Sequence, residues 1–514
     1  MLIVIIKKLF LLLALILLCL AILALVSYQR LPTSDRPIST HPPLNPNGLL
    51  ARHILPQVAQ HPNLTGLYPL GDGKDAFLAR LALSEHAEHT LDLQYYIWHN
   101  DVSGHLLLQS LYKAAVRGVK VRLLLDDNNT KGMDTILASL NAHPNIQIRL
   151  FNPFMQRQYR WLGFLSDFFR LNRRMHNKSF TADGVMSILG GRNIGDEYFD
   201  VGNGVLFADL DVAATGAVVT HIQTDFDRYW NSPSSYPLES IIIRDPITPF
   251  NPLPALDDET QTYLKQLTEL PFAKSLKAGT LAFVWAEAEL ISDDPKKALG
   301  KSLIQDSVLA HIAPTMLNAK NNLIIVSPYF VPTHVGVDFL SRISQTGTQV
   351  SILTNSLEAT DVSIVHSGYA KHRKTLLQKQ IQLYELKPHA TVQMESSGHL
   401  LKGASSASLH AKTFTLDNRY LFVGSFNMDP RSAMLNTEMG LLIDSPELAR
   451  LLSEGLQQNQ ANYAFSVKLN EAQALYWETQ ENGQWIRYEN EPHTSWFKRF
   501  SVWCLSWLPV EHLL

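Results

Sequence analysis

Cysteine is nearly absent: two residues in 514, Cys19 inside an apolar run and Cys504 near the end. That excludes a disulfide framework and a cysteine-built metal centre. A surplus of either charge is missing too, with 44 Lys and Arg against 47 Asp and Glu for a net −3. A broad nucleic-acid-binding surface would need a basic balance, so no nucleic acid is expected as a partner. No group of His, Asp and Glu has convincing ligand spacing, and neither metal nor cofactor is expected.

Long apolar runs are missing everywhere except at the start. Leu9 to Val26 carry no charged or strongly polar side chain, a run of 18 residues that follows Lys7 and Lys8. That is close to the helix length that crosses a hydrocarbon core. The exit, LALVSYQR, lacks a small-residue cleavage site, and Cys19 follows Leu17 and Leu18 rather than the small residue that lipid modification requires. An uncleaved single-pass anchor over residues 1–30 is expected. Lys7 and Lys8 are balanced by Arg30 and Arg36, and the short amino-terminal flank tips the main body toward the exported side. Residues 31–62, with seven prolines from Pro32 to Pro62, read as a tether.

Beyond it the chain repeats itself. MHNKSFTADGVMSILGGRN (175–193) and LHAKTFTLDNRYLFVGSFN (409–427) place His176, Lys178, Asp183 and Asn193 against His410, Lys412, Asp417 and Asn427, each pair 234 residues apart. Upstream, LDLQYYIWHNDVSG matches LIIVSPYFVPTHVG, and GVKVRLLLDDNN matches GTQVSILTNSLE, each an apolar strand pattern beside a helix pattern. Downstream, GVLFADLD is matched to EMGLLIDS, with Asp209 against Asp444. Strands alternating with helices twice over predict two α/β domains, central sheets flanked by helices, packed as a pseudo-twofold pair. The expected boundaries are 63–231 for the first domain, 232–278 for a connector, 279–470 for the second domain and 471–514 for an amphipathic tail.

A lone histidine beside a lysine is usually structural. Here the two lie two residues apart on a strand, so both face one side, and the polar positions repeat as faithfully as the apolar ones. Two histidines, two lysines and two asparagines brought together would suit a phosphodiester. Lys178 and Lys412 would neutralise its non-bridging oxygens, Asn193 and Asn427 would donate hydrogen bonds to them, and Gly191 and Ser425 would let backbone approach closely. One imidazole would attack phosphorus and the other protonate the leaving alcohol, with His176 the weaker preference for nucleophile and His410 for acid. Asp183 and Asp417 either orient the opposing imidazole or hold the turn. Glu438 finds only Gly204 at the matching position, an asymmetry that would separate donor from acceptor headgroup.

The doubled H-x-K-x4-D with its glycine-rich strand and asparagine resembles the phospholipase D superfamily. HNKSFTAD with GGRNIGDEYF, SDDPKK and GSFNMDPRSAMLNTE look most like the bacterial cardiolipin synthase C type branch. The resemblance implies a cell (inner) membrane transphosphatidylase acting on phosphatidylglycerol, with phosphatidylethanolamine as donor. A partner protein is left open, and hydrolysis of a lipid or nucleic-acid phosphodiester, or an inactive membrane scaffold, are the competing readings.

Two segments bear on a lipid substrate. In RQYRWLGFLSDFFRLNRRMH, Trp161, Phe164, Leu165, Phe168 and Leu171 fall at helical spacing between arginines, as in an interfacial helix, against the plainer reading of a core helix. The tail SWFKRFSVWCLSWLPVEHLL is tryptophan-rich and too short to span, so it is expected to dock on a membrane surface rather than only pack on the second domain. GDGKD (71–75) reads as a helix cap, and Asp126 and Asp127 as turn residues.

Overall fold

The computed structural model describes residues 2–33, 36–202, 206–242, 250, 258–278, 280–388, 407–458 and 460–514. Helix Leu2–Ser27 carries the apolar run. At 1.5 Å per residue it extends about 39 Å, enough to cross a bilayer. Its side chains are exposed along most of the span, and only its last turn meets protein, where Ser27 is buried.

The proline-rich stretch is not a free tether. Ser39 and His41 donate their amides to Asn231 and Asp227, and Arg122 and Arg149 donate to the carbonyls of Ser39 and Pro37. Helix Leu49–Val58 follows. With no ladder of its own, the strap satisfies its backbone groups on the first domain.

Each half has a mixed sheet with three parallel strands. Thr90–Ile97, Lys120–Asn129 and Ile146–Phe151 run parallel in the first half. Asn322–Val326, Gln349–Asn355 and Gln382–Leu386 do so in the second. Their near-continuous apolar runs are buried on both faces by helices, the pattern that such sheets require. Each sheet continues through the antiparallel hairpin of its histidine motif, Ser179–Ala182 with Met186–Gly190 and Thr413–Leu416 with Tyr420–Gly424. Thr65–Leu70 then pairs antiparallel with Val284–Ser292, which joins the two sheets edge to edge. A central core of Leu189, Val212, Ile324, Val423, Met439 and their neighbours draws on both halves.

Two expected boundaries move, and one expected strand match shifts. Ser235–Pro237 pairs with Ile146–Phe151, so the first domain extends past residue 231. Leu475–Glu481 and Gln484–Tyr488 lengthen the second sheet, so only the stretch around helix Trp496–Ser506 is a separate tail. The strand equivalent to Met439–Asp444 is Asp211–Gly216: Gly190 faces Asp211 as Gly424 faces Gly440. The match of Asp209 with Asp444 was therefore out of register. Asp209 is the counterpart of Glu438, because the loop from Asn193 to Asp209 spans 16 residues where Asn427 to Glu438 spans 11. Gly204 lies outside the described residues.

Candidate active site

Both histidine motifs reach the seam between the halves. His176 donates its amide to Thr437 of the second half at 2.9 Å, and His410 donates its own to Ala208 of the first at 2.8 Å. Leu206–Ala208 runs as a parallel strand beside Ala407–Leu409, so the second histidine is held by a small two-stranded sheet shared between halves. His176, Lys178, His410 and Lys412 are all buried.

The exchange extends to the side chains. His176 Nδ1 lies 2.8 Å from Glu438 Oε2 and 3.1 Å from the Ser425 carbonyl. Both are acceptors, so Nδ1 carries the proton and Nε2 keeps its lone pair. His410 Nδ1 donates to Asp209 Oδ2 at 2.6 Å, which fixes the same tautomer. Each imidazole is thus oriented by a carboxylate from the opposite half. Tyr96 and Tyr198 lie edge-on to His176 and His410 at 4.9 and 5.0 Å between centroids, and Phe207 stacks on His410.

The two carboxylates are held by different means. Asp293, in SDDPKK, accepts from the Glu438 amide at 2.8 Å and is paired with the buried Lys297. Ser425 Oγ donates to Glu438 Oε2 at 2.5 Å. On the other side the buried Arg192 donates to the carbonyl of Asp209 at 2.7 Å. A Cβ at Gly191 would sit 2.1 Å from Asp209 Oδ1. Gly191 and Ser425, expected to touch phosphate, both lie against the orienting carboxylates: one makes room and the other donates a hydrogen bond.

Asp183 and Asp417 lie at the turns, away from the imidazoles. Asp183 accepts from the amides of Glu88, His89 and Thr90 at 2.8–2.9 Å, and Asp417 from those of Lys320, Asn321 and Asn322. Both adopt a left-handed backbone, φ 52° and 53°, at the far end of the motif strand. Four strand residues lie between them and the lysines, five steps or about 16–17 Å at roughly 3.3 Å each. Of their two expected roles, these contacts match holding the turn. Asp183→Ala or Asp417→Ala is expected to cost about 1–3 kcal/mol of stability by orphaning amides. The measurement is a denaturant melt; an unchanged midpoint beside lost activity would restore a catalytic role.

Asn193 donates to the Tyr198 hydroxyl at 2.9 Å and accepts from the Ile97 amide, so it braces the aromatic wall of His410. Asn427 keeps a buried Oδ1 without a partner among the described residues.

Asp126, read as a turn residue, has a second task. Its Oδ2 accepts from the Met175 amide at 2.8 Å and from Arg174 Nε at 3.0 Å. Asn355, at the same place in the second half, accepts from the Leu409 amide at 2.9 Å and donates to the Leu409 carbonyl at 3.0 Å. The residue before each histidine is thus clamped from the C-terminal end of a parallel strand. Asn355→Asp is expected to be worse than Asn355→Ala, since a carboxylate would face the Leu409 carbonyl it now serves. Turnover of the two variants, each normalised to its folded fraction, reads this directly; equal rates would remove the clamp from the account.

Electrostatics divide the pair. Burial, then Lys178 and Lys412, push His176 well below the usual imidazole range. Burial and Lys412 also lower His410, with Asp209 opposing them. Burial raises Glu438 to about 7, whereas burial of Asp209 is outweighed by His410 and Lys412, which hold it at about 2. Burial lowers Lys412 to about 8 and takes Lys178 well below its ordinary value. Two buried ammonium groups destabilised in this way would be relieved by an anion placed between them.

His99, Asp101 and Glu197 form the one His/carboxylate group close enough to hold a metal among the described residues, at the far side of Tyr198 from His410 in sequence. Asp101 is already occupied with helix-start amides, and Glu197 with His99 at 3.2 Å.

Comparisons with known proteins show the family. The family model described as "Cardiolipin synthase, PLD-like domain" fits residues 81–230 and 312–459, one segment for each motif. The chain is 48% identical over 474 residues to cardiolipin synthase C of Escherichia coli, covering 90% of this chain and 99% of that one. It is 32% identical over 480 residues to an uncharacterized protein of Helicobacter pylori, covering 91% and 93%. The crystal structure of a phosphatidylserine synthase from Haemophilus influenzae shares the fold, with TM-score 0.57, 16% identity and coverage of 90% and 100%. With a paired histidine motif, a composite site and a family match across both halves, this chain belongs to the cardiolipin synthase family of phospholipase D-like proteins.

Proposed function

We propose that the protein is a membrane-anchored transphosphatidylase that makes cardiolipin through a phosphohistidine on His176. The observation that carries the assignment is a difference at Nε2: both imidazoles give Nδ1–H to a carboxylate, but Lys412 Nζ lies 3.3 Å from His410 Nε2 while His176 Nε2 has no partner among the described residues and is available as a nucleophile. Its lowered pKa keeps that lone pair unprotonated at neutral pH.

In the first step Nε2 of His176 bonds to phosphorus, the bond to the headgroup oxygen breaks, and protonated His410 gives its proton to the leaving alcohol. In the second, a hydroxyl of a phosphatidylglycerol headgroup bonds to phosphorus and passes its proton to His410, while the N–P bond breaks. Asp209 stabilises the imidazolium form of His410 before the first step and after the second. Lys178, Lys412 and Asn427 bind the non-bridging oxygens, where charge accumulates. Phosphatidylethanolamine is the proposed donor, with ethanolamine as the leaving alcohol, and the body lies on the exported face of a bacterial cell membrane.

The test is the purified full chain in phosphatidylglycerol vesicles with and without phosphatidylethanolamine, the lipid products being read by mass spectrometry. Cardiolipin, increased by phosphatidylethanolamine with release of ethanolamine, is expected. Phosphatidic acid alone would make the protein a hydrolase.

The pH profile of kcat/KM follows from the charged forms required. Glu438 must be a carboxylate, which holds above about pH 7, Lys412 must be a cation, which holds below about pH 8, and His410 must be protonated, which burial and Lys412 oppose and the bound phosphate anion with Asp209 favours. A narrow bell between these limits is expected, and Glu438→Gln should flatten its acid limb. An acid limb that survives that substitution would belong to another group.

A further inference from the structure

We propose that the Trp161–Leu171 helix, the 301–304 loop and the tail helix Trp496–Ser506 form one docking face for an anionic lipid surface, and that Arg431 ties this face to the catalytic seam. The proposal rests on the reading of the substrate as a lipid.

The occupant follows from continuity with the anchor. Where the anchor helix ends, Ser27 Oγ donates to the Leu162 carbonyl, and Gln156 donates to the carbonyl of Ser27. A helix packed against the last turn of a membrane span lies at the bilayer surface. It is kinked at Asp167, buries little beyond Gly163 and Leu171, and leaves Trp161 59% and Phe169 79% exposed. Leu303 and Ile304 are exposed on the neighbouring loop, whose Gly300 abuts Arg173. In the tail helix only Val502 is buried, while Trp496, Phe497 and Trp503 face outward with Trp507 just beyond. The tail packs on the second domain through one face and leaves an aromatic surface exposed on the other. Lys301, Lys498 and Arg499 accompany these side chains, and the one acid of the first helix, Asp167, is paired with Arg170. Aromatic and apolar groups beside cations are the composition that anionic headgroups attract.

Arg431 joins the pieces. Its guanidinium donates to the carbonyl and side-chain oxygen of Asn172, at the end of the first helix, and to the carbonyl of Leu513 in the tail, at 2.7–3.1 Å. Asn172 is four residues before His176, and Arg431 four after Asn427. Ser432, its neighbour, accepts from the Asn427 amide and through its carbonyl from Lys297. A shift of either helix on the bilayer therefore bears on both motifs.

The test uses the full chain. A His176→Ala background, in which no turnover occurs, is reconstituted in vesicles with and without phosphatidylglycerol, and hydrogen exchange is followed over residues 161–171, 301–304 and 496–507. Protection of all three segments by the anionic lipid is expected; protection of one alone, or none, overturns the shared face. This readout is independent of the product formed, so failure of the functional reading would leave it standing. Otherwise wild-type protein carrying Phe169→Glu with Trp507→Glu is expected to lose at least about tenfold in the ratio of turnover on vesicles to turnover on a monomeric short-chain phosphatidylglycerol. Arg431→Ala should lower the same ratio while the vesicle-induced protection persists, and Arg431→Lys should recover part of it. An equal loss on both substrates would reduce Arg431 to a structural peg.

Discussion

Alanine at His176 or at His410 is expected to lower kcat by about four orders of magnitude or more, and the double variant by little beyond the worse single one. The two imidazoles serve one reaction coordinate. Without His176 no N–P bond forms, and without His410 the leaving alkoxide has no proton. Strong non-additivity distinguishes this from two independent sites, each of which would leave half the activity. The single variants should part company on a substrate with an activated leaving group, which needs no acid. His410→Ala is then expected to recover its first step and His176→Ala to remain silent. Recovery in His176→Ala instead would exchange the roles.

The second large effect belongs to a residue outside the doubled motif. Asp209→Ala is expected to reduce kcat by about 10²–10⁴-fold, since it frees His410 to take the wrong tautomer and removes the charge that stabilises its imidazolium form. Gly191→Ala should reproduce much of that loss by displacing the same carboxylate. Steady-state rates on vesicles, alongside melting curves to confirm folding, measure both. A folded Asp209→Ala protein of near-normal rate would mean that the cross-half carboxylates are packing elements. Asp183→Ala provides the contrast: its loss is expected in stability and not in kcat per folded molecule.

On this arrangement neither half is expected to work alone. Each supplies the histidine and lysine of its own motif and the carboxylate of the other, and the backbone of each histidine is hydrogen-bonded across the seam. Burying four ionisable side chains in one place is tolerable only because those partners are preorganised by Asp293, Arg192, Asp126 and Asn355.

How far this could be read in advance depended on the kind of residue. His176, Lys178, His410 and Lys412 stood out because strand periodicity and a constant 234-residue separation concern local geometry, which one chain displays directly. The alternation of strands and helices was legible for the same reason. Asp209 was missed because a loop five residues longer in the first half broke that separation, and counting from Glu438 led to Gly204. Asp183 and Asp417 belong to the repeated pattern, yet repetition shows that a residue is needed and not what it touches; three backbone amides are invisible in a sequence. Arg192 and Asp293 act on carboxylates through main-chain atoms, which leave no side-chain pattern to find. The repeated polar positions at Asp126 and Asn355 were the one available signal, since each follows a buried strand at the same place in its half.

The central claim is a covalent phosphatidyl group on His176. Rapid acid-avoiding quench of His410→Ala with a phosphatidyl ester of an activated alcohol, followed by peptide mass spectrometry, tests it most directly. The account predicts a phosphatidyl adduct on the peptide containing His176, absent from the peptide containing His410 and discharged to cardiolipin on adding an enzyme-free excess of phosphatidylglycerol under base catalysis. An adduct on any other residue, or steady product formation with no adduct at any quench time, would contradict it.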